Sequence, residues 1–423
     1  MAFCGLDFGT SNTTLGLWRA GAPALAPLED GKVTVPSAVF YDPAGTLSIG
    51  RDAMARYVAG ENGRLMRSLK AVLGSPLIEE KTQIGRRAIG FRDVIGDFLK
   101  TVKARAEAST GAVLEQVVLG RPVFFVDDDA AANRKAEEAL RAIAEGAGFS
   151  AISTQFEPIA AALDYEQQVG DEQIALIADI GGGTSDFSIV RLGPQRARKA
   201  ERDDDILAND GVRIGGTDFD RYLSLGTLMP LLGFRSPMKR AGRDVPSGYF
   251  HELATWSSIN RLYTAKTLRE LTEVRREAAN PALVERLIRV VEEQRGHTLA
   301  MAAEEAKIAL TDAPRAEIEL NWLEAGLSLG ITPEELETHT SALAERIAGR
   351  IALCLTQASL AGDAIDALFL TGGSTRLAHV RTAIIAALPD ARVVEGDTFG
   401  SVGTGLAIEA ARRYGGSTVP QVK

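Results

Sequence analysis

Phe3-Cys4-Gly5-Leu6-Asp7-Phe8-Gly9-Thr10-Ser11-Asn12-Thr13-Thr14 reads as an apolar strand that carries one aspartate, breaks in a turn rich in glycine and hydroxyls, and resumes as a second strand through Leu15 and Leu17. The same pattern returns at Ile174-Ala175-Leu176-Ile177-Ala178-Asp179-Ile180-Gly181-Gly182-Gly183-Thr184-Ser185-Asp186-Phe187-Ser188, with Asp179 in the place of Asp7. A hairpin repeated once in each half of a chain is the mark of an internal duplication, one related hairpin per half.

The stretches between and after the hairpins alternate strand and helix. Val117-Val118-Leu119-Gly120 reads as a buried strand, followed by a helix from about Asp127 to Glu145 whose leading aspartates suit the positive end of the helix dipole. Ile152 to Gln155 is a short strand, and Glu157-Pro158 opens an alanine-rich helix, where proline costs nothing because the first N–H groups are unpaired anyway. The region from about 217 to 312 has helical period, with Leu283, Leu287, Val290 and Val291 in an apolar stripe. Thr332-Pro333-Glu334-Glu335 is a capping box, and the helix it starts carries Leu343, Ile347, Ile351 and Cys354 on one face. Ala367-Leu368-Phe369-Leu370 is a buried strand running into Thr371-Gly372-Gly373-Ser374-Thr375-Arg376, and a last helix spans roughly Gly400 to Tyr414. This alternation predicts an α/β fold with mixed sheets.

Composition narrows the function. At 423 residues the chain is too long for one small core and suggests two lobes. A net charge of −9 argues against a general nucleic-acid binder, which needs a basic surface. Cys4 and Cys354 are too few and too far apart for a disulfide framework or a zinc site, and read as small buried hydrophobes. His251, His297, His339 and His379 stand singly, without metal-ligand spacing. Asp7 follows the start too soon for a signal peptide, and no apolar run approaches the ~18 residues of a membrane span. A cytoplasmic protein without membrane or nucleic-acid partners is expected.

Three glycine turns, Gly9 to Asn12, Gly181 to Thr184 and Gly372 to Ser374, each follow an apolar strand. Such turns let backbone N–H groups approach phosphate oxygens closely. Asp7 and Asp179 cannot bind phosphate themselves, since like charges repel. They make sense with Mg2+ between carboxylates and phosphates, held mostly through its water shell.

The N-terminal hairpin, Val35-Pro36-Ser37, Ser68-Leu69-Lys70, Glu157-Pro158-Ile159-Ala160-Ala161-Ala162, Asp179 to Asp186, Gly215-Gly216-Thr217-Asp218-Phe219-Asp220 and Leu370 to Arg376 occur in one order. That order resembles the nucleotide-binding domain of the seventy-kilodalton heat-shock chaperones (the DnaK type) and, among them, the short YegD-type proteins. The resemblance implies an actin-like ATPase fold: two lobes with duplicated mixed sheets and a nucleotide cleft between them. Lobe I would cover 1–170, with a small subdomain at about 36–95 and completion by the C-terminal helix at 400–414. Lobe II would cover 171–397, with a mostly helical subdomain at about 217–300.

The resemblance also implies ATP or ADP with Mg2+ as ligands and slow hydrolysis of ATP as the activity. Gly9, Thr10, Ser11 and Asn12 would hold the β- and γ-phosphates from one lobe, and Gly182, Gly183 and Thr184 from the other. Asp7 and Asp179 would orient the metal's water, Lys70 would reach the γ-phosphate, and Glu157 would position the attacking water, with Asp179 and Thr184 counted in the catalytic set. Gly372, Gly373 and Ser374 would pass under the ribose and α-phosphate, Arg376 would lie beside the base, and Glu304 and Lys307 would bind the ribose hydroxyls. Ile308 departs from the family, which carries an arginine there. The family continues into a client-binding domain, whereas this sequence runs out at Gly415-Gly416-Ser417-Thr418-Val419-Pro420-Gln421-Val422-Lys423, so none is expected. Expected partners are the nucleotide and a co-chaperone or exchange-factor-like protein. The competing readings are a metabolic kinase of the same superfold and an actin-like polymerising protein. The segment Arg196 to Asp205, mixed in charge, reads as a solvated hairpin tip.

Overall fold

The structure, a computed structural model, describes residues 2–199 and 202–415. The chain forms two compact units. The first comprises residues up to Gly216, Glu345–Arg376 and those from Val380 onward; the second comprises Thr217–Ala344 with Leu377–His379.

The first unit holds two sheets built to one plan. β1 (Ala2–Phe8) pairs antiparallel with β2 (Asn12–Arg19), and β2 pairs antiparallel with β3 (Ala22–Leu25) and β4 (Thr34–Pro36). On its other side β1 lies parallel to β5 (Leu114–Arg121), and β5 parallel to β6 (Ala151–Phe156). In the second sheet β7 (Gln173–Ile180) and β8 (Ser185–Leu192) make the hairpin, and β9 (Ile206–Val212) extends it. β10 (Ala367–Thr371) and β11 (Arg392–Glu395) add in parallel beside β7. The orders β6-β5-β1-β2-β3 and β11-β10-β7-β8-β9 match strand for strand and direction for direction. The duplication read from two hairpins therefore extends to whole sheets, and the α/β fold with mixed sheets is the observed architecture.

The two hairpins differ in charge at the register position of their aspartates. Asp7 faces Thr14 across the first, whereas Asp179 faces Asp186 across the second.

Small residues set how closely the layers pack. The helix Glu157–Glu166 has Pro158 in its first turn and buries Ala160, Ala161 and Ala162 between strands of both sheets. Tyr165 of this helix stacks on Phe369 of β10, with ring centroids 4.8 Å apart. The helix Ser401–Tyr414 lies across β1, β2 and β5 and against the Glu157 helix. Gly405 sits so close to that neighbour that a Cβ would stand 1.7 Å from the Ala160 carbonyl oxygen. Both helices share a core with Val118, Ile177 and Phe369 of the sheets. Between β4 and β5 lie a three-stranded sheet (Ala38–Tyr41, Leu47–Ile49, Arg64–Arg67), the hairpin Lys81–Ile84 with Arg87–Gly90, and the helix Phe91–Thr110.

The second unit is built on the helices Ala265–Glu277, Pro281–Glu292 and Gly296–Ala309. Leu287, Val290 and Val291 of the expected stripe are buried, and Leu283 is half-buried. This unit runs past the stretch read as helical and includes a hairpin, Ala316–Glu319 with Ser328–Ile331. The capping box forms: Thr332 N–H donates to Glu335 Oε2 at 3.0 Å, and Glu335 N–H to Thr332 Oγ1 at 3.4 Å.

One expectation is corrected. The segment Arg196 to Asp205 is not simply a solvated tip. Arg196 bridges Glu172 and Asp205 at 2.9 and 2.8 Å, and Arg202 pairs with Asp205 at 2.9 Å and with Glu166. Asp205 and Glu166 are buried, Glu166 also accepting the Gly193 N–H at 3.1 Å. The mixed charges neutralise one another over the end of the Glu157 helix, which is why this polar run packs down. Ala200, Glu201 and the terminal residues 416–423 lie outside the described residues. Cys4 and Cys354 are free and fully buried. Among the described residues no helix is long and apolar enough to cross a membrane.

Candidate active site

The turns that end the two hairpins meet in the first unit. Ser37, just after β4, pins the first: its hydroxyl donates to the Gly9 carbonyl at 2.6 Å and lies 2.9 Å from Thr13 Oγ1, and its N–H donates to the Ser11 carbonyl at 2.9 Å. In the second, Gly181 N–H closes onto the Thr184 carbonyl at 2.9 Å, and Gly216 N–H reaches the Gly181 carbonyl at 2.9 Å. A Cβ on Gly182 would lie 2.2 Å from Ser11 Oγ, and one on Gly183 2.5 Å from Thr10 Oγ1, so the two turns touch through their glycines and hydroxyls.

Two further turns join them. Gly372 has a φ of +83° and lies against β7, where a Cβ would be 2.4 Å from the Ile180 carbonyl oxygen. Ser374 Oγ donates to the Gly181 carbonyl at 3.2 Å. Gly215 abuts Gly183, where a Cβ on Gly215 would lie 2.4 Å from the Gly183 nitrogen. Arg376 stands exposed at the end of the short 3-10 turn Gly373–Arg376.

Charge collects at the same place. Lys70 begins the helical turn Lys70–Leu73, two residues after Ser68, which holds the left-handed conformation at φ +57°. Its ammonium pairs with Glu157 Oε1, and both residues are 6 % exposed, so the pair is shielded from solvent. Burial works against the charge on Lys70, but Glu157 and then Asp7 outweigh it and hold its pKa above the usual lysine value. Burial, then the Glu157 charge, pushes Asp7 up to about 7. The same two causes push Asp186 up to about 7, against hydrogen bonds from Thr184 and from the Val123 N–H, which is 2.6 Å away. Asp179 is driven well above the ordinary range by burial and by the charges of Glu157, Asp186 and Asp7.

Four carboxylates thus crowd one ammonium, and a polyphosphate could not enter against them without a cation. This donor set fits Mg2+. Among the described residues no three His, Cys, Asp or Glu side chains converge as direct ligands. The packed glycine turns, where added Cβ atoms would collide, fit a chain of phosphates held by backbone and hydroxyl groups.

In the second unit Lys307 is buried and pairs with Asp220 at 2.7 Å. Glu304 is half-buried one turn earlier, and Ile308 is 54 % exposed. Asp186 and Ser37 belong to the site although the motif reading gave them no role. A signal for Asp186 was present, because the duplicate hairpin carries Thr14 at the matching position.

Known proteins resemble this chain over nearly its whole length. The chain is 25 % identical over 432 residues to a "Chaperone protein HscA homolog" of Methylibium petroleiphilum, covering 98 % of this chain and 59 % of that protein. A protein of the same description from Chromobacterium violaceum is 27 % identical over 427 residues, covering 96 % and 57 %. A third, from Delftia acidovorans, is 25 % identical over 435 residues, covering 98 % and 59 %. The chain spans just under three-fifths of the length of these curated relatives. The family profile described as "Hsp70 protein" matches residues 3–225 and 288–422, including every turn that meets at the site. A match of that extent establishes kinship, and this chain belongs to the Hsp70 family.

Proposed function

We propose that this chain binds ATP with Mg2+ and hydrolyses it slowly to ADP and phosphate, serving as the nucleotide-driven part of a chaperone-type system. The observation that carries the reading is the meeting of four glycine turns over the buried Lys70–Glu157 pair, ringed by Asp7, Asp179 and Asp186. The Hsp70 relatives support it at the level of the family.

In this reading Thr10, Ser11, Asn12, Gly182, Gly183 and Thr184 cradle the β- and γ-phosphates. Bound Mg2+ supplies neutralisation of phosphate charge. Asp7 and Asp179 orient the water around it. Lys70 offsets charge that builds on the γ-phosphoryl group in the transition state, the largest lever a protein has on phosphoryl transfer. Glu157, freed from Lys70 as the ammonium turns to phosphate, accepts a hydrogen bond from the attacking water. Water oxygen bonds to the γ-phosphorus as the bond to the β-phosphate oxygen of ADP breaks. The electron pair stays on that oxygen, and one water proton passes by way of Glu157 to the released phosphate or to solvent. Gly372, Gly373 and Ser374 support the ribose and α-phosphate, with Arg376 beside the base. Glu304 and Lys307, the latter oriented by Asp220, serve the sugar hydroxyls. A co-chaperone or exchange-factor-like protein would read the nucleotide state.

Phosphate release from ATP with Mg2+ tests this directly. Lys70→Ala is expected to keep nucleotide binding and lower turnover by about 10²-fold, roughly 2.7 kcal/mol of barrier. Asp179→Ala is expected to lose Mg2+-dependent binding. Unchanged turnover in Lys70→Ala would remove the mechanism, and phosphate appearing on an added sugar would indicate a kinase instead.

A further inference from the structure

Phe399 lies in the turn between β11 and the helix Ser401–Tyr414, and 49 % of its surface is exposed. The turn is tied down. Phe399 N–H donates to Asp397 Oδ1 at 3.1 Å, and the Asp397 carbonyl accepts from Ser401 N–H and from Thr371 Oγ1, each at 3.2 Å. Gly396 N–H donates to the Leu370 carbonyl at 3.0 Å. The turn that carries the ring is therefore fixed to the end of β10, the strand that feeds the Gly372–Ser374 turn.

One edge of the ring rests over Gly373: a Cβ there would stand 3.4 Å from Phe399 Cε1 and 3.6 Å from Cζ. The absence of a side chain at Gly373 leaves the surface beside the ring open. Arg376 is exposed on the same turn. A large apolar ring held in place yet half in solvent forgoes burial that would favour folding. The cost is understandable if a flat apolar group covers it when the site is filled.

We infer that Phe399 is a base-binding residue, stacking on the aromatic base of a nucleotide whose ribose and α-phosphate lie on the Gly372–Ser374 turn. The inference rests on the reading that the glycine turns hold a nucleotide. Ring and base each present a π-face, and their contact is indifferent to hydrogen-bond pattern. Arg376, exposed at the end of the Gly373–Arg376 turn, carries a guanidinium that attracts a base plane. Phe399 thus supplies affinity for the base, and the turns supply affinity for the phosphates.

The test is equilibrium binding by calorimetry with Mg2+, using ATP and inorganic tripolyphosphate as probes. The parent chain is compared with Phe399→Ala and Phe399→Trp. The expected result is that Phe399→Ala weakens ATP about 10-fold or more and leaves tripolyphosphate unchanged, while Phe399→Trp binds ATP like the parent. Equal ATP affinity in Phe399→Ala and the parent overturns the stacking role and leaves the nucleotide site intact. A parallel loss of both probes in Phe399→Ala, not rescued by tryptophan, also overturns it, because the ring would then only hold the turn. A parent chain that binds neither probe defeats the underlying nucleotide reading instead.

Discussion

Asp186 faces Asp179 across a hairpin whose twin pairs Asp7 with Thr14. Like charges directly opposite on a sheet are destabilising, so the fold alone gives no reason for this pair, and the proposed cation site does. Burial and Glu157 raise Asp186 from 3.8 to about 7, so the folded chain holds a proton that the unfolded chain has released. Stability is consequently lost as pH rises across that window, and is lost in full above it. Asp186→Asn keeps an acceptor for the Val123 N–H and removes this loss. In the absence of divalent cations it is expected to stabilise the protein at pH 8 by on the order of 1–2 kcal/mol, and not at pH 4. Urea unfolding at the two pH values in chelator checks this. A variant less stable than the parent at pH 8 would contradict the repulsion. Phosphate release should fall at the same time, since the variant trades a functional charge for stability. That Lys70 and Glu157 belong together was expected only through the family's motif order, because a lone lysine or glutamate carries no spacing signal of its own.

At the scale of elements, the Glu157 helix places the carboxylate that pairs with Lys70 by being wedged between two sheets and the Ser401–Tyr414 helix. Gly405 is what permits that wedge. Gly405→Ala would drive a methyl into the Ala160 backbone and is expected to cost about 2–3 kcal/mol, with a marked fall in turnover as Glu157 shifts. The control is Gly349→Ala in the helix Pro333–Ala358, where nothing lies within 4 Å. It should stabilise by about 0.5–1 kcal/mol by helix propensity alone. Chemical unfolding of both variants separates crowding from propensity; equal effects would refute the wedge. The strands at Val117 and Ala367 and the helices opened by Glu157 and Thr332 were readable to within a few residues, from apolar runs, caps and prolines, whereas the helix Phe91–Thr110 and the hairpin Ala316–Glu319 with Ser328–Ile331 were not read. The Arg196–Asp205 ion pairs were not, because opposite charges bury only when the fold brings in Glu166 and Glu172 from elsewhere in the chain.

For the whole molecule, binding of a ligand to the folded state alone adds stability by mass action. ATP with Mg2+ at about 100 times its dissociation constant should add roughly 2.7 kcal/mol. ATP in chelator should add far less, because Asp7, Glu157, Asp179 and Asp186 then face the phosphates uncompensated. Thermal unfolding with and without Mg2+ measures the difference. Equal stabilisation in both would remove the cation from the account of the site.

The sequence by itself determined that this protein is a duplicated α/β chain with glycine turns at strand ends and paired aspartates beside two of them. It could do so because strand burial, turn chemistry and capping are recorded in residues next to one another. Only the tertiary structure decided that the whole sheet, not the hairpin alone, is repeated. It also decided that Lys70 rests on Glu157 87 positions away, that Asp186 joins the acidic ring, that Lys307 pairs with Asp220, and that Phe399 lies over Gly373. The reason is physical: charge pairing, pKa and exposure depend on which ends of distant strands meet, and local periodicity carries no record of that meeting.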